Sequence, residues 1–207
     1  MRIENMNTRE YRVAMVLYSS ALKIVTAKLD IINEELHLRK KNTPIEYIKS
    51  RLKTADSISA KLVRRGYAPT LTNAKKYIDD IAGVRIICAF TDDIYEVAQI
   101  IEQNMGFDVV LVKDYIKNPK PNGYRSYHMI VEVPVRLTDG VEKVRAEIQI
   151  RTIAMDFWAS LEHKMRYKFY KEIPDDLKEE LTACAEIVAS LDEKMLMLNK
   201  EIDKYKV

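Results

Sequence analysis

From about Thr8 to Arg39 the chain consists of helix formers, and Ala14, Leu17, Ala21, Ile24 and Ile31 fall near one face of a 3.6-residue period, which predicts a long amphipathic helix. The polar run His37-Leu-Arg-Lys-Lys-Asn-Thr-Pro44 interrupts it. A second helical stretch is predicted through Arg65, carrying Arg51, Lys53, Ser57, Lys61 and Arg64, with Gly66 and Pro69 ending the pattern. Then the period changes to that of a sheet. Gly83 to Phe90 reads as a mostly buried strand, Asp92 to Gln103 as a helix, Phe107 to Ile116 as a strand, and Tyr127-His-Met-Ile-Val-Glu-Val133 as another. The clearest alternation comes next: Val144, Ala146, Ile148 and Ile150 point one way, and Lys143, Arg145, Glu147, Gln149 and Arg151 the other. One face of that strand packs and the other meets ligand or water. Thr152 to Lys168 returns to helix, and Pro174 suits the first turn of a last helix. There Leu177, Leu181, Cys184, Val188, Leu191, Met195, Leu198 and Ile202 are spaced alternately four and three, a heptad seam that serves equally for packing within the domain or for self-association. Helices, then a mixed sheet, then helices define an α+β domain with antiparallel strand pairs.

Composition narrows the function classes. A chain of 207 residues is one domain, or one domain with helical additions. Its 34 Lys and Arg only slightly outnumber its 31 Asp and Glu, a field too balanced to argue for duplex nucleic acid. No apolar run approaches bilayer-spanning length, and the start, Met-Arg-Ile-Glu-Asn, lacks the hydrophobic block of a secretion signal, so a cytoplasmic location is expected. Cys88 and Cys184 form no CxxC pair, which argues against disulfide and zinc sites.

Candidate chemistry concentrates in three places. Asn122-Gly-Tyr-Arg-Ser-Tyr-His128 crowds aromatic rings, a guanidinium and an imidazole behind one glycine, between a Pro-rich hinge and a strand. Asp80 lies just ahead of a buried strand, where a carboxylate can hold a hard cation, although Asp79 could share a simple turn role with it. On that strand Arg85 points away from Val84 and Ile86, toward the ligand-bearing face. Glu147 sits mid-strand among Arg145, Gln149 and Arg151, where a charge needs a reason. A carboxylate from each of two strands, surrounded by cations, is what phosphoryl transfer requires, because a divalent ion and fixed positive charge neutralise the moving phosphate.

Asp80-Ile-Ala-Gly-Val-Arg-Ile86, Asn122 to His128, Glu147-Ile-Gln-Ile-Arg-Thr152 and the following Ala154 to His163 together resemble, in order and spacing, the motifs of the RelA/SpoT-type alarmone synthetases, specifically the single-domain small synthetases. The likeness covers nearly the whole chain. It implies a nucleotidyltransferase-type fold: a mixed, largely antiparallel five-stranded sheet flanked by helices, with an N-terminal helix over 1–43, a catalytic core over 44–168 and a C-terminal helix over 172–207. It implies transfer of the diphosphate of ATP to the ribose 3′-hydroxyl of GDP or GTP, with Mg2+ as cofactor and AMP released. By this likeness Asp80 and Glu147 are the catalytic pair: Asp80 ligates the magnesium that bridges the ATP phosphates, and Glu147 either joins that metal site or draws the proton from the 3′-hydroxyl. Arg51 and Arg85 sandwich adenine, while Lys53, Ser57 and Arg64 hold the ATP phosphates. Lys120, Tyr124, His128 and Gln149 form the GTP/GDP-binding face, with Tyr124 stacking on guanine. The resemblance also implies a homo-oligomer, a tetramer, with both chain ends in its contacts.

The chain departs from the family pattern twice. Where related small synthetases often carry Asn, this chain has Asp156, expected to accept the N1 and N2 hydrogens of guanine. Its first helix offers Asp30, Asn33, Glu34 and Glu35 where product-activated relatives present basic residues, so product activation is not expected. Two other readings remain: an enzyme of the same fold that releases pyrophosphate, and a single-stranded RNA-binding module, with RNA also conceivable as a secondary ligand. Trp158, with Phe157 and Leu161 nearby at helical spacing, reads as core, and Arg125, Tyr127 and Arg151 as structural pairs.

Overall fold

A computed structural model of the chain describes residues 8–39, 43–168 and 174–205. The elements are α1 (Arg9–Arg39), β1 (Tyr47–Leu52), α2 (Ala55–Arg64), α3 (Leu71–Tyr77), β2 (Ala82–Cys88), α4 (Thr91–Asn104), β3 (Asp108–Asp114), β4 (Tyr127–Leu137), β5 (Gly140–Thr152), α5 (Ile153–Lys168) and α6 (Asp175–Asp203). The predicted extension of the first helix over 1–7 and 40–42, and the connector 169–173, lie outside the described residues.

The five strands form one sheet in the order β1-β2-β5-β4-β3. Only β2 and β5 run parallel; the other pairs are antiparallel. The α+β class and the mixed five-stranded sheet expected from the resemblance are therefore what the chain adopts. Periodicity alone predicts four strands, because Arg51 falls in the stretch that reads as helix through Arg65, whereas Tyr47–Leu52 is a fifth strand. It pairs antiparallel with β2 instead, with Ile48 and Leu52 half-buried on the inward side. The helix begins only after Thr54, whose hydroxyl caps it by accepting from Ser57 N–H at 3.3 Å. Short α3 was not anticipated; seven residues are too few for a helical period to stand out. Strand β4 runs past Pro134 to Leu137. Beyond Glu132 it has no β3 partner, so a residue without an N–H is tolerated there.

Helix α1 crosses β1, β2, β4 and β5. Its Tyr18, Ala21, Leu22, Val25 and Leu29 join Val84, Ile86, Val131, Val133, Ala146 and Ile148 in one buried cluster. This stripe is rotated slightly from the predicted one: Leu17 and Ile24 are only partly buried and Ile31 is exposed. Once α1 covers that face, strict alternation sends Arg85, Glu147 and Gln149 to the opposite face, as the sequence pattern required. On α5, Trp158 is core as expected, packed with Ala159 and Ala185 and donating its Nε1–H to Leu181 O at 3.0 Å. Phe157 and Leu161 are exposed, because helix α5 meets α6 along the Trp158 side only. Pro174 caps α6 from outside rather than entering its first turn. Among the described residues no helix is long and apolar enough to cross a membrane.

Candidate active site

Sheet register assembles the site. Lys49, Arg85, Gln149, His128 and Lys113 stand side by side across all five strands. One row along, Arg51 faces Gly83, which faces Glu147. With no side chain at Gly83, space opens between Arg51 and Glu147. The result is an open cavity of about 480 Å³ lined by Arg51, Lys53, Asp80, Arg85, Glu147 and Gln149. Asp80 and Glu147, 67 residues apart in sequence, thus face one space.

Both carboxylates are held ionised. Burial alone would raise the Asp80 pKa, but hydrogen bonds and charge from Lys53 Nζ at 2.7 Å and Lys61 Nζ at 2.8 Å outweigh it and hold the carboxyl below its ordinary range. Burial likewise works against Glu147. It is overcome by His128, whose Nδ1 lies 3.0 Å from Glu147 Oε1, and by the Gln149 amide, which donates to Oε2 at 2.8 Å. Two hard oxygen donors kept anionic in one cavity fit a hard divalent cation. Among the described residues no group of three or more His, Cys, Asp or Glu gathers into a closed cage.

The second half of the site is the loop before β4. Gly123 adopts φ +81°, where a Cβ would also meet the Cβ of Ala185 at 2.4 Å, so only glycine lets this loop press against α6. Asn122 Oδ1 accepts from Tyr124 N–H, turning the chain so that the Tyr124 hydroxyl reaches His128 Nε2 at 2.8 Å. Lys120 Nζ lies 4.9 Å from the centre of the Tyr124 ring and 4.7 Å from that of Tyr115. Burial, reinforced by the cations of Lys113, Lys61 and Arg151 against the pull of Glu147, holds the Lys120 ammonium below its ordinary range. An anion arriving there would be welcomed.

Most of the expected residues converge. Arg51, Lys53, Asp80, Arg85, Glu147 and Gln149 line the cavity, and Tyr124, His128 and Lys120 stand at its β4 side. Ser57 sits in the first turn of α2 with its hydroxyl 2.8 Å from that of Thr54. Arg64 is exposed at the end of the same helix and does not line the cavity. Asp156 is nearly buried on the first turn of α5, with Oδ1 3.0 Å from both Arg85 and Arg151.

Three participants were not assigned a site role from sequence. Lys61 grips Asp80; its spacing one turn after Ser57 was the available signal. Tyr115 meets His128 edge-on at 5.2 Å, a contact between strand ends with no local signature. Arg151, read as a structural pair, is one: it bonds Asp156, Ser126, Gln149 and the Tyr124 hydroxyl. Arg125 also bonds structurally, to Ile116 O.

Comparison with known proteins places the chain in a family. A family model described as the region found in RelA / SpoT proteins matches residues 50–172. GTP pyrophosphokinase YwaC of Bacillus subtilis (strain 168) is 52% identical over 194 residues, covering 94% of this chain and 92% of that protein. The crystal structure of small alarmone synthetase 2 from Bacillus subtilis superimposes with a TM-score of 0.85 at 50% identity, covering 93% of this chain and 100% of that one. That of small alarmone synthetase 1 from the same organism, bound to its product pppGpp, gives 0.88 at 36% identity over 95% and 100%. With its motifs gathered on one sheet face and likeness along nearly its whole length, the chain belongs to the RelA/SpoT family.

Proposed function

We propose that this chain is a GTP pyrophosphokinase, moving the diphosphate of ATP to the ribose 3′-hydroxyl of GDP or GTP to give (p)ppGpp and AMP. The observation that carries the reading is the shared cavity of Asp80 and Glu147, two ionised carboxylates ringed by Arg51, Lys53, Lys61 and Arg85. The named activities of the relatives support it. Arg51 and Arg85 are the planar cations for adenine, and Lys53, Lys61 and Ser57 serve the donor phosphates; Arg64, outside the cavity lining, is assigned to their solvent side only. Tyr124 offers its ring to guanine, Lys120 leaves the rings for acceptor phosphate, and His128 and Gln149 complete that face. Asp156, expected from the sequence to accept guanine's N1 and N2 hydrogens, commits its Oδ1 to Arg85 and Arg151, and is assigned to holding those two cations rather than to the base.

The acceptor's 3′-oxygen attacks the β-phosphorus of ATP, the bond from that phosphorus to the oxygen bridging the α-phosphorus breaks, and AMP leaves with that oxygen. The hydroxyl proton passes to Glu147, which hydrogen bonding keeps anionic and oriented. A magnesium ion held by Asp80 and Glu147 together with substrate phosphates would neutralise charge on the transferred group. The lysines and arginines supply positive charge for the same purpose.

Incubating the purified protein with ATP, each guanosine nucleotide and magnesium, then separating nucleotides, tests this. The expected products are AMP and a guanosine 3′-diphosphate; pyrophosphate release would move the reaction to the other transfer class. A pure RNA-binding module predicts that Glu147→Gln keeps or improves affinity for single strands. An enzyme predicts that turnover is lost.

The ends of the chain, with the catalytic core over 44–168 between them, are the proposed contacts of a homotetramer. Leu177, Leu191, Met195, Leu198 and Ile202 of the heptad seam are all exposed, which favours self-association over internal packing. A cytoplasmic location, where ATP and GTP are supplied, accords with this role.

A further inference from the structure

A continuous polar chain crosses the site from one substrate half to the other. Arg85, whose side chain is 36% exposed in the cavity, gives its Nη1–H to Asp156 Oδ1 at 3.0 Å. The same oxygen accepts from Arg151 Nη1 at 3.0 Å, and the side chains of Arg151 and Asp156 are only 5% and 10% exposed. Arg151 donates on to the Tyr124 hydroxyl, to Gln149 Oε1 at 3.0 Å and to Ser126 Oγ at 3.3 Å. Tyr124 and Gln149 each reach Glu147, through His128 and directly. Arg85 Nε is a buried donor with no hydrogen-bond partner, so Asp156 is its anchor at one end only.

We propose that Asp156 is a positioning residue that couples the two nucleotides, making donor bound on Arg85 favour acceptor bound on Tyr124. The inference rests on the proposed placement of adenine at Arg85 and guanine at Tyr124. In the free chain the Arg85 guanidinium is held at one nitrogen and retains freedom about that contact. A purine stacked on its plane removes that freedom and fixes the Asp156 carboxylate it grips. The carboxylate in turn fixes Arg151, whose remaining donors orient the Tyr124 ring and the Gln149 amide. The first nucleotide thus bears part of the ordering cost of the second, which is positive coupling without a change of fold. Linkage makes the effect reciprocal: GDP must tighten the ATP site by the same factor. Carboxylate charge matters, because two guanidiniums share one oxygen and a neutral amide would release the weaker-held, exposed Arg85.

Titration calorimetry with a non-hydrolysable ATP analogue, with and without saturating GDP, reads the coupling directly. The wild-type protein is expected to bind the analogue about fivefold or more tightly when GDP is present. In Asp156→Asn that ratio falls to near one, while the preference for GDP over IDP, which lacks the 2-amino group, stays at its wild-type value. Tyr124→Phe, which keeps the ring and loses only the hydroxyl held by Arg151, also loses the coupling and keeps analogue affinity in the absence of GDP. No coupling in the wild-type protein, or full coupling in both variants, overturns the proposal. A changed GDP-to-IDP preference in Asp156→Asn with coupling intact overturns it in favour of direct base reading. If Arg85→Ala leaves analogue affinity unchanged, the donor placement itself is wrong, a result distinct from an uncoupled wild type.

Discussion

Glu147 sits in the middle of a strand flanked on both sides by strands, yet its carboxylate stays anionic because His128 and Gln149 each commit a donor to it. Replacing it with Gln keeps the shape and removes the charge. The expected result is a folded protein with kcat lowered by about a hundredfold or more, measured as AMP release. The depressed pKa values of Asp80 and Glu147 also tie stability to pH. Each contributes stabilisation that is fully present above the unfolded carboxylate values near pH 4 and disappears as pH falls through the lower folded-state values. Thermal melts between about pH 5 and pH 2 should therefore show a steep acid limb, flatter in Asp80→Asn, whose remaining stability no longer depends on that proton. Sequence marked both carboxylates because a mid-strand charge and an acid at a strand entry are anomalies visible in one dimension. Lys61 and Arg151 escaped assignment because a cation on a helix or an alternating strand is ordinary until its partner is known.

The acceptor loop and α6 form one packed unit at the level of elements, since Gly123 and Ala185 meet and Trp158 bonds the α6 backbone. Gly123→Ala places a methyl group on the Ala185 side chain and forces a left-handed backbone that costs an L-residue about 1–2 kcal/mol. Weaker GDP binding and a lower melting temperature are expected, with Ala185→Gly recovering the part due to the clash and leaving the backbone cost. Equal loss in single and double variants would mean that the contact contributes nothing. Strand β1 shows where one-dimensional reading stops at this scale. Tyr47–Leu52 carries residues compatible with either period, and the open edge of β2 decided the matter by supplying hydrogen-bond partners. That decision places Arg51 opposite Gly83 in the cavity, where a helix could not have put it.

For the whole molecule, the exposed apolar seam on α6 and the apolar surface left on α1 at Val13, Val16 and Ile31 are what the proposed tetramer would cover. Light scattering after size exclusion at micromolar concentration should give a tetramer, and Leu191→Glu with Met195→Glu should lower the mass. A strict monomer would remove the assembly proposal. Because α1 presents Asp30, Asn33, Glu34 and Glu35, added product should leave the initial rate unchanged; strong stimulation would contradict this.

Taken alone, the sequence determined the class of fold, the packed and open faces of β2 and β5, and which two carboxylates are the candidates for the site, because alternation and misplaced charge are properties of neighbours along the chain. The tertiary structure decided which side chains hold those carboxylates and that one cavity joins them. It also decided that Asp156 lies between Arg85 and Arg151, since strand register and the docking of α5 bring together groups that no local spacing relates.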